Sequence, residues 1–221
     1  MAVNVSTYQA LKSKLDAANV TLVAVSKTKP VSDIQELYEL GHRDFGENYV
    51  QELTEKATQL PPDIRWHFIG HLQSNKVKHI APFIHLIHGV DSLSLLKEVN
   101  KQAARNNRVI NILLQVHIAQ EETKFGLSED ELSEVAFATG DPLYRYVKIC
   151  GLMGMASFTD DVEKLRGEFK ELKRMLEQLR LPVSDYKQPI LSMGMSSDYE
   201  VAIEEGSNMV RIGSLLFGAR N

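Results

Sequence analysis

Eight short apolar runs, rich in branched residues and separated by amphipathic or polar stretches, dominate the sequence. This alternation is typical of parallel strands connected by helices. The predicted strands cover residues 21–25, 43–45, 65–69, 84–90, 109–118, 146–153, 189–193 and 208–213. The length of 221 residues is near the lower limit of about 200 residues for eight such units. The pattern predicts one α/β domain over residues 1–221, a (β/α)8 TIM barrel with an extra N-terminal helix.

Helical patterns fill the spaces between these runs, most clearly over residues 160–181. Apolar residues recur there at steps of three or four, namely Leu165, Phe169, Leu172, Leu176 and Leu179. Asp160 and Glu163 predict a capping box at the start, and Pro182 follows the end. Further helices are expected over 6–18, 31–40, 48–59, 92–105, 128–138 and 196–206. A doubly wound open sheet is the alternative, but the glycine-rich fingerprint expected after its first strand is missing.

Charge and cysteine content limit the partners and the compartment. The chain has 25 Lys plus Arg and 29 Asp plus Glu, a formal net charge of −4, so no nucleic-acid partner is expected. Cys150 is the single cysteine and lies in an apolar run, which favours a buried strand and a reducing, cytoplasmic setting. The N-terminus lacks a charged start followed by an apolar block, and no apolar run reaches the roughly 18 residues that span a bilayer. We therefore expect neither secretion nor membrane insertion.

Polar residues follow the predicted strands at their carboxyl ends, where barrels carry their functional loops. Lys27 continues the alternation of the first strand on the same face as Val23 and Val25. At the mouth of a barrel its amine is desolvated, so its pKa falls and it can condense with a carbonyl as a Schiff base. A simple exposed lysine at a strand end is the alternative. Lys29, next to Pro30, is the weaker candidate because it already lies in the loop.

The loops after the last two predicted strands could hold a phosphate. Ser192 and Ser196 flank a glycine-containing turn before a helix, and Gly213 and Ser214 precede another. Backbone N–H groups and hydroxyls in these loops could point at an anion, and barrels frequently bind phosphate at this place. Helix capping by the two serines Ser196 and Ser214 is the alternative.

Arg211 interrupts the otherwise apolar eighth run. A buried arginine without a partner is costly, so we expect its side chain to point into the mouth toward an acceptor. A salt bridge to a barrel carboxylate such as Glu47 is the alternative.

Two other kinds of site are not expected. His67 and His71 have the spacing of a helical metal pair, but they lie at the end of a predicted strand, where this spacing separates them too far to share one ion. The glutamate of a H-E-x-x-H site is also missing. No G-x-S-x-G elbow of a serine hydrolase occurs.

Several segments together resemble the pyridoxal phosphate homeostasis proteins, namely LVAVSKTKP, GHRDFGENYVQE, WHFIGHLQSNKVK, IHGVDS, LSMGMSSDYEVAIEEGS and VRIGSLLFGAR. The resemblance implies a single barrel similar to the N-terminal domain of alanine racemases, the fold type III group of pyridoxal phosphate proteins. It also implies pyridoxal 5'-phosphate held as an internal aldimine. Family members influence vitamin B6 and amino-acid pools without an agreed enzymatic reaction.

The resemblance also implies which residues bind the cofactor. They are Lys27, Asn48, His67, Ser192, Ser196, Arg211, Gly213 and Ser214. In this assignment Lys27 forms the Schiff base, Asn48 and His67 lie near the ring, and Arg211 faces the pyridine nitrogen. The serines and the glycine of the last two loops bind the phosphate.

Three functions remain open from the sequence. The first is a cofactor-binding homeostasis protein, the second a weak amino-acid racemase with Lys27 as one base, and the third a Schiff-base aldolase acting on a sugar phosphate. The cation of Arg211 disfavours a protonated pyridine nitrogen and so weakens the ring as an electron sink. No feature nominates a second base. We therefore expect a monomeric, non-catalytic protein that hands pyridoxal phosphate to apo-enzymes.

Overall fold

The structure is a computed structural model that describes residues 3–119, 125–179, 181 and 188–218. Eight parallel strands follow one another in chain order, and the last pairs with the first to close a barrel. They are β1 Thr21–Val25, β2 Asp44–Glu47, β3 Arg65–Phe68, β4 Leu86–Val90, β5 Ile110–Val116, β6 Val147–Gly154, β7 Ile190–Ser192 and β8 Met209–Ile212. The predicted TIM barrel is confirmed, and closure excludes the open sheet.

Helices alternate with these strands on the outside of the barrel. They are α1 Val5–Ala17, α2 Val31–Glu39, α3 Val50–Gln59, α4 Val77–Ile80, α5 Leu93–Arg105, α6 Glu129–Ala138, α7 Val162–Leu179, α8 Tyr199–Glu204 and α9 Ser214–Phe217. The extra N-terminal helix is α1. Sequence patterns missed α4 because four residues are too few for a helical period, whereas α9 follows Gly213 as expected. No helix in the described part of the chain is long and apolar enough to cross a membrane.

Two of the differences from the predicted boundaries have a clear local cause. The second strand continues through Gly46 and Glu47, residues of low strand propensity that nevertheless pair with β3. The long helix α7 begins after Asp161, whose Oδ1 accepts from the backbone N–H groups of Glu163 and Lys164 at 3.1 Å each. Asp161 therefore caps this helix, and the predicted capping box of Asp160 with Glu163 is wrong. Pro182 lies outside the described residues.

The alternation along the strands separates two apolar layers. Leu22 and Ala24 pack outward beneath the helices, whereas the barrel interior contains Val23, Leu86, Leu113, Cys150, Met153, Ile190 and Met209. Cys150 is buried in β6, as predicted. Val23 points inward, and side chains two or four positions further along an extended strand point to the same side. Lys27, two residues beyond the end of β1, is therefore expected on the side of the barrel axis. This parity brings Lys27 to the mouth.

Candidate functional site

A cavity of about 420 Å³ opens at the carboxyl ends of the strands, within the range of small-molecule sites. Its lining brings together six of the eight predicted residues, namely Lys27, Asn48, Ser196, Arg211, Gly213 and Ser214. They come from the ends of β1, β2, β7 and β8. The other two, His67 and Ser192, lie deeper in the barrel.

Helix α3 anchors the residues on both sides of Lys27. The carbonyl oxygen of Ser26 accepts from Lys56 Nζ at 2.8 Å, and the backbone N–H of Thr28 donates to Glu52 Oε1 at 2.6 Å. Thr28 has a φ of 63°, in the left-handed region that costs a non-glycine residue about 1–3 kcal/mol. The half-buried Lys27 side chain thus starts from a backbone fixed at its two neighbours.

A buried ion pair forms the centre of this anchor. Lys56 Nζ lies 2.7 Å from Glu47 Oε1 and 2.7 Å from Glu52 Oε1, and Ser26 Oγ donates to Glu47 Oε1 at 2.6 Å. Burial raises the pKa of Glu47, and the charge of Lys56 opposes this rise. Sequence reasoning missed the anchor, although Glu52 and Lys56 have the spacing of a helical ion pair.

Glu47 does not pair with Arg211. Its side chain points outward from the barrel to α3, whereas Arg211 stands on the inward face of β8. The alternative salt bridge between Arg211 and Glu47 is therefore wrong, because strand parity places the two side chains on opposite sides of the sheet.

Lys29 also lines the cavity, but its amine is engaged elsewhere. Lys29 Nζ donates to the carbonyl oxygen of Phe217, the last residue of α9, at 2.8 Å. A cation at a helix C-terminus is stabilised by the carbonyl groups that end there. This contact holds the Lys29 amine at the C-terminal end of α9.

Arg211 forms the floor of the cavity and is 4% exposed. Its Nη1 donates to the carbonyl oxygen of Ser192 at 2.8 Å and to Ser192 Oγ at 2.7 Å, and its Nη2 donates to the carbonyl oxygen of Gly154 at 3.1 Å. Burial lowers the pKa of Arg211 to about 10, against the charge of Asp198, which raises it. The guanidinium is therefore charged near neutral pH and presents a fixed cation to the mouth.

Ser192 and His67 lie deeper in the barrel than the six residues that line the mouth. Ser192 is fully buried beneath Arg211, where its hydroxyl accepts from the guanidinium. His67 lies lower still, with Nε2 3.1 Å from Asp44 Oδ1, and lines a cavity at the amino-terminal end of the strands together with His85. Both side chains point inward as their strands predict, but they lie below the level of the mouth and outside the lining of its cavity.

The two loops that could hold a phosphate meet at Ser196. Its hydroxyl accepts from the backbone N–H of Gly213 at 3.4 Å. Gly194 starts the first loop with a φ of 93°, and a Cβ atom there would lie 2.7 Å from the Cβ of Ala202. Glycine is thus required for the turn that brings Ser196 to the mouth.

Neither serine caps a helix. Asp198 precedes α8 and Gly213 precedes α9, and neither helix start has a side-chain cap. The alternative of capping by Ser196 and Ser214 is therefore wrong. In the part of the chain that the structure describes, the backbone N–H groups of Ser197 and Ser214 have no protein acceptor. Such N–H groups at one mouth suit an anion.

Asn48 contributes an unsatisfied polar atom. Its Oδ1 is buried and has no hydrogen-bond partner among the described residues. Leaving such an acceptor unpaired costs about 1–3 kcal/mol, which a bound ligand could relieve. The walls beside it are apolar, formed by Val25, Ile69 and Met155, residues that the sequence patterns did not single out. An amine, a cation, open N–H groups and apolar walls fit a flat aldehyde that carries a phosphate.

Known proteins share this arrangement of the chain. Residues 5–221 match the family described as alanine racemase, N-terminal domain. The pyridoxal phosphate homeostasis protein of Aquifex aeolicus (strain VF5) is 42% identical over 200 residues, which cover 90% of this chain and 86% of that protein.

Solved structures agree with this match. PipY of Synechococcus elongatus PCC7942, with PLP bound, is 33% identical and superposes with a TM-score of 0.84 over 96% of this chain and 99% of that one. The alanine racemase of Bartonella henselae, at 18% identity and a TM-score of 0.73, covers 97% of this chain and 62% of that one and shares the fold. The chain belongs to the alanine racemase N-terminal domain family and, within it, to the pyridoxal phosphate homeostasis proteins.

Proposed function

We propose that this protein binds pyridoxal 5'-phosphate at the barrel mouth through Lys27 and serves in the homeostasis of this cofactor. The observation that carries the proposal is the convergence of Lys27, Arg211 and the two anion-suited loops on one cavity of about 420 Å³. The shared name of the relatives and the PLP-bound PipY structure support it. Pyridoxal phosphate supplies an aldehyde that condenses with an amine and a phosphate that accepts hydrogen bonds.

Lys27 and the loops act on opposite ends of the ligand. The amine of Lys27 would bind the aldehyde carbon through a carbon–nitrogen double bond, with the aldehyde oxygen released as water. Ser196, Gly213 and Ser214 lie at the phosphate end, where the open N–H groups of Ser197 and Ser214 donate charge-assisted hydrogen bonds worth about 1.5–3 kcal/mol each. Asn48 supplies an amide beside the ring. Binding therefore has a covalent and a non-covalent part.

Arg211 argues against general amino-acid chemistry. A fixed cation near the pyridine nitrogen disfavours its protonation, and the neutral ring withdraws electrons poorly. Among the described residues that line the cavity, no histidine, tyrosine or carboxylate is available as a second base beside Lys27. These features support a non-catalytic role over racemisation.

An open mouth suits the transfer of the cofactor to other proteins. Phe158, at the edge of the cavity, is 90% exposed. Helix α7 buries one stripe, including Phe169 and Leu172, and its charged residues apart from the buried Glu168 lie outside this stripe, which is typical of a helix without a partner subunit. We accordingly include in the proposal a cytoplasmic monomer that passes pyridoxal phosphate to apo-enzymes.

Titration with pyridoxal phosphate tests the proposal, with Lys29→Ala as the matched control for Lys27→Ala. We expect a visible absorbance shift in the unsubstituted protein and in Lys29→Ala. Lys27→Ala should bind the ligand more weakly in equilibrium dialysis and without that shift. Absence of binding to the unsubstituted protein, or loss of the shift in Lys29→Ala alone, would overturn the proposal.

Two further assays distinguish the alternatives. Racemisation of a panel of amino acids should not exceed the rate with free pyridoxal phosphate, and the loaded protein should activate an apo-enzyme. Specific racemisation that depends on Lys27 would favour the enzyme instead. A sugar-phosphate aldolase would cleave its substrate without any bound chromophore.

A further inference from the structure

A chain of four hydrogen bonds crosses the barrel interior from Asp44, at the amino-terminal end, to Arg211 at the mouth. Asp44 Oδ1 lies 3.1 Å from His67 Nε2, and His67 Nδ1 lies 2.9 Å from His88 Nε2. His88 Nδ1 lies 3.1 Å from Ser192 Oγ, which lies 2.7 Å from Arg211 Nη1. Four of the five residues are buried, and the Asp44 side chain is 13% exposed.

The two end groups of this hydrogen-bond chain have fixed donor and acceptor roles. A guanidinium only donates hydrogen bonds, and a carboxylate only accepts them. Arg65 holds Asp44 as a carboxylate, with Arg65 Nε 2.7 Å from Oδ1 and Nη2 2.5 Å from Oδ2. These contacts and the one with His67 keep the pKa of Asp44 well below its ordinary value, despite burial. Asp44 is therefore an acceptor at neutral pH.

With one proton on each ring, the tautomers of both histidines follow from these ends. His67 then carries its proton on Nε2, facing Asp44, and its Nδ1 is an acceptor. His88 then donates from Nε2 and accepts at Nδ1 from the hydroxyl of Ser192. Burial, together with the charge of Arg211, lowers the pKa of His88 well below its ordinary value, in keeping with a neutral His88 ring. Any other arrangement of two neutral rings sets two protons or two lone pairs against each other.

We propose that Asp44 is a positioning residue for Arg211 and acts through His67, His88 and Ser192. Because the hydroxyl proton of Ser192 points to His88, the lone pairs of Ser192 Oγ face the mouth, where Oγ accepts a hydrogen bond from Arg211 Nη1. It thereby fixes one edge of the guanidinium and turns the rest toward the cavity. The hydrogen-bond chain from Asp44 to Arg211 follows from the distances between these side chains, whereas its effect on a ligand rests on the proposed function.

Packing alone does not account for this chain. The same barrel interior contains apolar side chains such as Leu86, Leu113 and Met153. Burying two imidazoles and a hydroxyl among them is unfavourable unless every partner is supplied. A fully satisfied network, in contrast, is rigid and polarised along its length. This hydrogen-bond chain occupies space that apolar side chains could fill, and the group that it orders at the mouth is Arg211.

The first test uses the unsubstituted, ligand-free protein and does not depend on the proposed function. Long-range proton–nitrogen NMR on histidine-labelled protein distinguishes protonated from bare ring nitrogens, and single substitutions assign the signals. We expect protons on Nε2 and bare Nδ1 atoms in both His67 and His88 near pH 7.5. A proton on Nδ1 of either ring, or a cationic ring, would overturn the proposal.

The second test is a double-mutant cycle on the dissociation constant of pyridoxal phosphate. Asp44→Leu and His88→Leu should each weaken binding on the order of tenfold, and the double variant should be no weaker than either. Asp16→Asn removes a carboxylate that lines the same end of the barrel and pairs with Lys12, and it should leave affinity unchanged. Additive losses, or an equal loss in Asp16→Asn, would contradict transmission through the chain. If the unsubstituted protein binds no pyridoxal phosphate, the proposed function fails and the NMR result alone decides the chain.

Discussion

Replacing Lys56 by methionine should destabilise the barrel strongly, because it leaves a buried carboxylate without its cation. The Lys56 side chain is 6% exposed and that of Glu47 is 0% exposed, and their charged atoms are 2.7 Å apart. Methionine retains most of the stem volume but none of the three hydrogen bonds of Nζ to Ser26, Glu47 and Glu52. Breaking a buried pair at one partner typically costs about 3–5 kcal/mol. We expect a loss of that size in the free energy of unfolding near pH 7.5.

The loss should depend on pH in a defined direction. Burial already raises the pKa of Glu47, and removal of Lys56 raises it further. A carboxyl whose pKa is raised in the folded state binds protons more tightly there than in the unfolded chain. The contribution of this carboxyl group to stability is therefore most favourable at low pH and is lost as the pH rises through its folded-state pKa. The deficit of Lys56→Met relative to the unsubstituted protein should shrink as the pH falls toward about 4.3, the ordinary value for glutamate.

Urea denaturation at several pH values measures both effects. Adding Glu47→Gln to Lys56→Met removes the stranded charge and should restore much of the lost stability. Lys101→Met is the matched control, since Lys101 is also helical and pairs with Glu98 at 3.0 Å but is 54% exposed. Its cost should stay within about 0.5 kcal/mol. A loss below about 1 kcal/mol for Lys56→Met, independent of pH and not relieved by Glu47→Gln, would refute the reasoning.

Two other predictions concern the mouth. Arg211→Glu should let the pyridine nitrogen hold a proton, because a nearby anion favours the cationic form, and the visible spectrum and side reactions with added amino acids should change. An unchanged spectrum and unchanged side reactions would mean that Arg211 does not face the ring. Light scattering of the loaded protein should report the mass of one chain, 24.9 kDa, whereas a stable dimer would contradict the open mouth.

The fold and most of the mouth could be predicted because both depend on local periodicity. The alternation TLVAVSK placed Val23 inward and hence Lys27 at the mouth, and a glycine before a helix marked the loop around Ser196. Ordinary barrel rules then bring strand ends together wherever they lie in the chain.

The depth of a side chain along the barrel axis could not be predicted in the same way. Parity tells which face a residue occupies, but the stagger of the strands decides whether it reaches the mouth, and Ser192 and His67 lie below the cavity there. Long-range contacts were also hidden, since nothing in the sequence shows that Glu47 meets Lys56 or that His67 meets His88. Glu52 and Lys56 were the exception, because their spacing on a helix is a local signal.

The most direct measurement of the central claim is borohydride reduction of the protein loaded with pyridoxal phosphate, followed by peptide mass mapping. Reduction turns the carbon–nitrogen bond into a stable secondary amine and so marks the lysine that formed it. The account predicts the added mass on Lys27 at about one adduct per chain. An adduct on Lys29 or on surface lysines in its place, or no adduct on Lys27, would contradict it.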